Sequence, residues 1–275
     1  MSVDVLIDSK AQLGEGPRWD AANERLLWVD VKRGELHAWD GEQDHVEQLE
    51  APLSAVAPTT DGDVLVAFAN RLALLSGATL AHLPHSDELR LNDGACDPQG
   101  RFWVGSMRRD ETKQRDAALY RFDGELVQML DGVSLSNGLG WSPDGSLMYY
   151  VDTLSRRIDV FDYDGAIANR RTFAFVDRDR GFPDGLTVDD EGAVWLAVWG
   201  GRCVLRYTPD GELDRVLEVP AEHVTACCFG PGTSLFITTA APDGRVFVAD
   251  VGVGGPPAQP FLSTAPSDAE PTSAR

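Results

Sequence analysis

Apolar residues fall in short runs of Val, Ile, Leu, Phe, Trp and Tyr, separated by Asp, Gly and Pro. That pattern predicts short β-strands joined by tight turns, with little helix. One unit recurs: a turn containing Asp, Ser or Gly, then an apolar strand. It reads Asp20-Ala-Ala-Asn-Glu-Arg-Leu-Leu-Trp-Val-Asp30 and Asp61-Gly-Asp-Val-Leu-Val-Ala-Phe68. It returns as Asp97-Pro-Gln-Gly-Arg-Phe-Trp-Val-Gly105 and Ser142-Pro-Asp-Gly-Ser-Leu-Met-Tyr-Tyr-Val-Asp152. The last copies are Asp189-Asp-Glu-Gly-Ala-Val-Trp-Leu-Ala197 and Gly230-Pro-Gly-Thr-Ser-Leu-Phe-Ile-Thr238. The turn starts are 41, 36, 45, 47 and 41 residues apart. Six copies at the spacing of four-stranded blades predict an all-β, six-bladed β-propeller. A second apolar strand follows each copy, as in Arg157-Ile-Asp-Val-Phe161 and Cys203-Val-Leu-Arg-Tyr207. The ring is expected to close by pairing Val3–Ile7 with strands of the last repeat. The propeller is expected over residues 1–264, with a solvated tail at 265–275.

The blades also share a polar register. Five residues before each turn start stand Glu15, Val56, Asn92, Asn137, Asp184 and Thr225. Four of these are Glu, Asn or Asp, each with Gly one or two residues later. At the start of the innermost strands, the four would converge at one mouth of the channel. Each could instead bond its local backbone as an Asx turn. Several acids gathered without a cation would repel one another or take up a proton. Oxygen donors suit a hard divalent cation such as calcium, magnesium or manganese. With no Cys or His in the register, a structural zinc site is not expected.

Composition narrows the partners. The 275 residues carry 24 Lys and Arg against 44 Asp and Glu, a net charge of -20. Such a surface repels phosphate backbones and anionic lipid, so neither nucleic acid nor membrane is an expected partner. The same field disfavours anionic substrates. No apolar run is long enough to span a bilayer. The N-terminal segment lacks the pattern of a secretory signal. Cys96, Cys203, Cys227 and Cys228 show no C-x-x-C spacing and read as buried thiols in a reducing cytoplasm. The five histidines read as loop residues, with His223 near the channel mouth. Asp30 and Asp152 read as structural hydrogen-bonding groups reaching a neighbouring blade. Trp103, Trp141 and Trp195 read as packing between blades.

Several motifs resemble the senescence marker protein-30/gluconolactonase/luciferin-regenerating enzyme-like family. They are Leu13-Gly-Glu-Gly-Pro-Arg-Trp-Asp20, Arg90-Leu-Asn-Asp-Gly94, Ser136-Asn-Gly-Leu-Gly-Trp-Ser-Pro-Asp-Gly145, Phe182-Pro-Asp-Gly185 and Ala197-Val-Trp-Gly-Gly-Arg202. The resemblance runs in order from about residue 10 to 262. It implies a propeller with one catalytic divalent cation: calcium, magnesium, manganese or zinc. It places metal ligation on Glu15, Asn137 and Asp184, with Asp184 also the base. It places substrate binding on Arg90 and Asn92, and an acidic substrate contact nearest Asp110 in the divergent segment Arg108-Arg-Asp-Glu111. The implied activity is opening of a sugar lactone to the aldonic acid. Phosphotriester or other ester hydrolysis on the same scaffold is the alternative. A non-catalytic binding propeller is a third reading, against which the convergent acids weigh.

Overall fold

Two turns of the repeat are pinned by their own buried aspartates. In the computed structural model, which describes residues 2–110, 112 and 114–263, Asp97 and Asp189 are fully buried. Asp97 accepts from the indole of Trp103 at 2.8 Å and from Arg101 Nε at 2.8 Å. Asp189 accepts likewise from Trp195 at 2.9 Å and Arg206 Nε at 2.9 Å. A buried carboxylate needs such partners, and here they lock the turn to the strand after it.

The strands form six four-stranded antiparallel sheets. Blade 1 holds β2 (Gly14–Asp20), β3 (Arg25–Asp30), β4 (Glu35–Trp39) and β5 (Asp44–Gln48), after the N-terminal strand β1 (Val3–Ile7). Blade 2 holds β6 (Leu53–Pro58), β7 (Val64–Phe68), β8 (Arg71–Leu74) and β9 (Thr79–His82). Blade 3 holds β10 (Leu89–Cys96), β11 (Phe102–Arg108), β12 (Ala117–Phe122) and β13 (Leu126–Val133). Blade 4 holds β14 (Ser136–Trp141), β15 (Leu147–Asp152), β16 (Arg157–Tyr163) and β17 (Ile167–Phe175). Blade 5 holds β18 (Phe182–Val188), β19 (Val194–Trp199), β20 (Cys203–Tyr207) and β21 (Leu213–Glu218). Blade 6 holds β22 (Val224–Phe229), β23 (Ser234–Thr239) and β24 (Val246–Asp250), and β1 completes it by pairing with β24. The fold is the expected six-bladed β-propeller, closed as expected by the N-terminal strand.

The core is divided among the seams between blades. Leu27 and Val29 of blade 1 cluster with Val56 and Val66 of blade 2, and the series continues around to Trp28 and Phe236 across the last seam. Trp28, Trp103 and Trp195 are completely buried in their second strands. Trp141 packs edge-on against Trp103, and Cys96 is core.

Asp30 and Asp152 are structural; their hydrogen bonds fall at the entry to their own blades, and Asp152 also pairs across the seam with Arg115 of blade 3 at 3.6 Å. Asp30 accepts backbone N–H from Gln12 at 2.7 Å and Leu13 at 3.2 Å, just before β2. Asp152 accepts from Ser134 Oγ and from Leu135 N at 3.1 Å, just before β14. In each case the end of the second strand holds the entry to the innermost strand of the same blade.

Beyond β24 the chain crosses the underside of the ring. Gly254 O accepts from Asp190 N of blade 5. Ala258 N donates to Trp19 O of blade 1, and Phe261 N to Pro58 O of blade 2. Leu262 N donates to Gly100 O of blade 3. The segment thus bonds to four blades after leaving the sixth. The tail expected at 265–275 lies outside the described residues.

Candidate metal and substrate site

The innermost strands β2, β6, β10, β14, β18 and β22 all break register with their partners. In β10, residues 92 and 93 are skipped between Leu91 and Gly94; in β14, residues 137 and 138; in β18, residues 184 and 185. In β2 the break follows Glu15 directly. A bulge releases residues from the ladder and re-aims a side chain, which places the four polar residues toward the axis. Gly16 takes a positive φ of 55°, whereas Gly138 and Gly185 answer to close approach. A Cβ on Gly138 would stand 2.7 Å from the backbone of Asp184 and Leu186, and one on Gly185 2.8 Å from Ala226 Cα. The neighbouring inner strand occupies that space.

Blades 2 and 6 carry no acid or amide at this level. The bulge of β6 falls at Ser54 rather than at Val56, which pairs regularly with Val66. The register count is therefore two residues off in blade 2, because the bulge sits nearer the strand start. Ser54 Oγ donates to Leu91 O at 2.8 Å, and Thr225 Oγ1 to Gly14 O at 2.6 Å. Both hydroxyls tie neighbouring inner strands together.

Glu15, Arg90, Asn92, Asn137 and Asp184 line one cavity of about 490 Å³ at the entry ends of the inner strands. Its walls include Leu13, Val31, Met107, Leu154, Phe182 and Trp199. Asn137 is 5% exposed and Asp184 4%. The amide of Asn137 is oriented by two bonds. Its Nδ2 donates to Thr153 Oγ1 at 2.9 Å, and its Oδ1 accepts from Asn92 Nδ2 at 3.1 Å. Asn92 also donates to Ser136 O at 2.8 Å and accepts from Arg90 Nη1 at 3.0 Å. Arg90, Asn92 and Asn137 form one chain of donors and acceptors along the wall.

The acids are under electrostatic stress. Burial, with the Asp93 charge second, pushes the Glu15 carboxyl up to about 8. Burial and the charges of Glu15 and Asp93 raise Asp184 well above the usual carboxylate range. Asp184 Oδ1 is buried with no hydrogen-bond partner. An orphaned carboxylate oxygen beside a second acid and an amide oxygen is a set that suits a hard divalent cation, which would relieve both the repulsion and the missing partner. The residues fit such an ion.

Asp110 is not brought to this cavity. It is exposed and bonds Arg108 Nε at 3.0 Å. Arg108 and Thr112 hold its carboxylate outside the cavity, away from the place where the resemblance implies an acidic contact. None of the five histidines lines the cavity. His37, His45 and His82 lie in strands rather than loops. His37 is buried, bonds Asp44 at 2.7 Å and stacks on Trp28. His223 stacks on Trp199 at 4.3 Å and so backs the wall of the cavity.

Other residues escaped the sequence reading. Thr153, Leu154, Val31 and Lys32 follow the ends of β15 and β3, while Met107 and Trp199 lie at the ends of β11 and β19. Antiparallel pairing puts the end of each second strand beside the start of its inner strand, and this rule would have located them. Asp93, 6% exposed, was read only as part of a motif; it pairs with Arg18 at 3.4 Å on the axis. Arg18 lines a second cavity of about 270 Å³ at the far ends of the inner strands, walled by Pro256–Gln259.

A family model described as the SMP-30/gluconolactonase/LRE-like region matches residues 13–241. The chain belongs to this family. It is 36% identical to regucalcin of Danio rerio, with 87% of each chain covered. It is 35% identical to a protein of Bacillus subtilis named putative sugar lactone lactonase YvrE, over 92% of this chain and 96% of that one. Among solved structures, a calcium-binding regucalcin from Agrobacterium tumefaciens superposes with a TM-score of 0.89 at 28% identity, covering 95% of this chain and 98% of that one. The likeness to each relative thus takes in all six blades rather than one local motif. Among the described residues no helix is long and apolar enough to cross a membrane.

Proposed function

We propose that this protein is a divalent-metal-dependent hydrolase that opens a sugar lactone to its aldonic acid. The observation that carries the reading is the buried, unpartnered Oδ1 of Asp184 beside Glu15 and Asn137 in one cavity. Glu15, Asn137 and Asp184 would hold the ion. The calcium-binding relative supports calcium as the first ion to test, with magnesium, manganese and zinc alongside. Bound there, a divalent cation supplies Lewis-acid polarisation of the ester carbonyl and acidifies a water.

The chain's own groups do the rest. With its charge compensated, Asp184 is a carboxylate and takes the proton of the attacking water. Arg90 and Asn92 stand on one wall, where the guanidinium and the amide oxygen suit the hydroxyls of a sugar. Leu154, Phe182 and Trp199 keep bulk water from the reacting ester. Four buried free cysteines are consistent with work in a reducing cytoplasm.

The test is acid release from D-glucono-1,5-lactone in weak indicator buffer, with the spontaneous rate subtracted. Protein stripped with a chelator should be inert, and one of the four ions should restore turnover. A restored protein that leaves the lactone untouched but cleaves an organophosphate triester would put the alternative ester hydrolase in its place.

A further inference from the structure

We infer that the site favours a lactone bearing a carboxylate remote from its ester, and that Lys32 selects for that charge. This deepens the lactonase reading and rests on it. Four ionisable carboxyl or cationic side chains line the cavity: Glu15, Asp184, Lys32 and Arg90. The two acids are the members suited to a divalent cation. Once an ion compensates them, Lys32 and Arg90 leave the wall with an excess of positive charge. The acidic contact implied at Asp110 is missing from the wall, because Asp110 is held by Arg108.

Lys32 is placed by the fold. Asp30 Oδ1 accepts the backbone N–H of Lys32 at 3.2 Å and of Arg33 at 3.4 Å. Val31 N donates to Leu13 O at 2.9 Å, and Gly34 N to Asp30 O at 2.8 Å. These bonds fix the β3–β4 turn at the mouth. Arg33, next in sequence, spends its charge on Asp30 and Glu35 at 3.6 and 3.8 Å. Among the described residues the Lys32 ammonium has no hydrogen-bonding or ion-pairing partner, and its side chain is exposed along the cavity wall. A neutral lactone offers this ammonium only hydroxyls, whereas a carboxylate offers a charge-assisted bond about twice as strong. The net charge of -20 repels anions at long range, but screening confines that field to about 8 Å at physiological salt, and the contact charge decides inside the cavity. Water adds to the ester carbonyl and the ring C–O bond breaks. The ring oxygen leaves as a hydroxyl, and one proton is released with the second carboxylate.

The matched pair D-glucaro-1,4-lactone and D-glucono-1,4-lactone differs only in a carboxylate against a hydroxymethyl group. With metal restored, wild type should prefer the charged lactone in kcat/KM by about tenfold, the size of one charge-assisted contact. Lys32→Met should bring that ratio near one, chiefly through KM, and Lys32→Arg should keep most of it. A readout independent of turnover is calorimetric titration of the metal-restored protein with D-glucarate and D-gluconate. Wild type should bind the dicarboxylate more tightly, and Lys32→Met should erase the difference. Thermal melting of both variants close to wild type secures the comparison. If both lactones open and the ratio is the same in wild type and Lys32→Met, the role of Lys32 is overturned and the lactonase reading stands. If neither opens with any of the four ions, the lactonase reading falls and this inference with it.

Discussion

Asp184 and Glu15 cannot both carry full charge in a cavity this buried unless something positive joins them. That sets two expectations for individual residues. Asp184→Asn keeps an oxygen for a cation but removes the proton acceptor, so kcat should fall by roughly a hundredfold or more. Folding and some metal binding, measured by calorimetry, should persist; turnover close to wild type would remove Asp184 from the mechanism. Thr153→Val leaves Asn137 Nδ2 without its acceptor, so the amide can turn its nitrogen inward. Loss of such orienting partners costs roughly ten- to a hundredfold in metal affinity, which a metal titration will read. The pH dependence of the stripped protein follows from Glu15. Its folded value, about 8, lies above its ordinary value of 4.5, so the folded state binds the proton more tightly. Stability is then greatest below pH 4.5, as far as this group decides it, and is lost as pH rises through 8. The melting temperature of stripped protein should drop across that interval. Saturating metal should flatten the drop, and a stripped protein that gains stability with pH would contradict the burial of this acid.

At the scale of the strand, the inner bulges decide what faces the axis. Their positions were partly legible. Glu15, Asn92, Asn137 and Asp184 stood out because each precedes a glycine at a constant distance from a turn. Blade 2 misled the count, since Ser54 and not Val56 occupies its bulge and no glycine marks it. Lys32 and Thr153 were hidden because they belong to the second strands' ends, which a count along inner strands never visits. Asp110, given only by the resemblance, stands outside the cavity and bonds Arg108 two residues away, a pairing that sequence order does not announce. The glycines themselves are testable. Gly185→Ala drives a Cβ to 2.5 Å from Ala226 Cβ and 2.8 Å from its Cα, so the seam between blades 5 and 6 must move. Overpacking of this kind costs roughly 2 kcal/mol or more in denaturant unfolding. A neutral result would show that the inner strands of these blades can slide apart.

For the whole ring, the six seams share the burial, and the segment after β24 ties several blades together from beneath. Phe261 anchors it, 7% exposed against Phe122 and bonded through its backbone to Pro58 and Thr60. Phe261→Ala should cost about 3 kcal/mol by cavity formation, read in the same unfolding assay. The propeller and its closure were legible because the repeat is periodic and the N-terminal run is one strand long. The crossing segment was not. Residues 251–261, Pro256 and Pro257 among them, carry no copy of the repeat, and they reach the blades through backbone hydrogen bonds that any sequence could make.

Closure by the N-terminal strand also dictates an order of assembly. Val3 pairs with Ala249, and Val5 with Phe247. The first strand of the propeller to leave the ribosome therefore has no partner until the last blade has been made. Blades 1 to 5 each contain four consecutive strands and can pair locally as they emerge, whereas blade 6 must wait for both ends. The last step of maturation is then the capture of residues 3–7 by β24, and until it occurs β24 presents an open edge to other nascent chains.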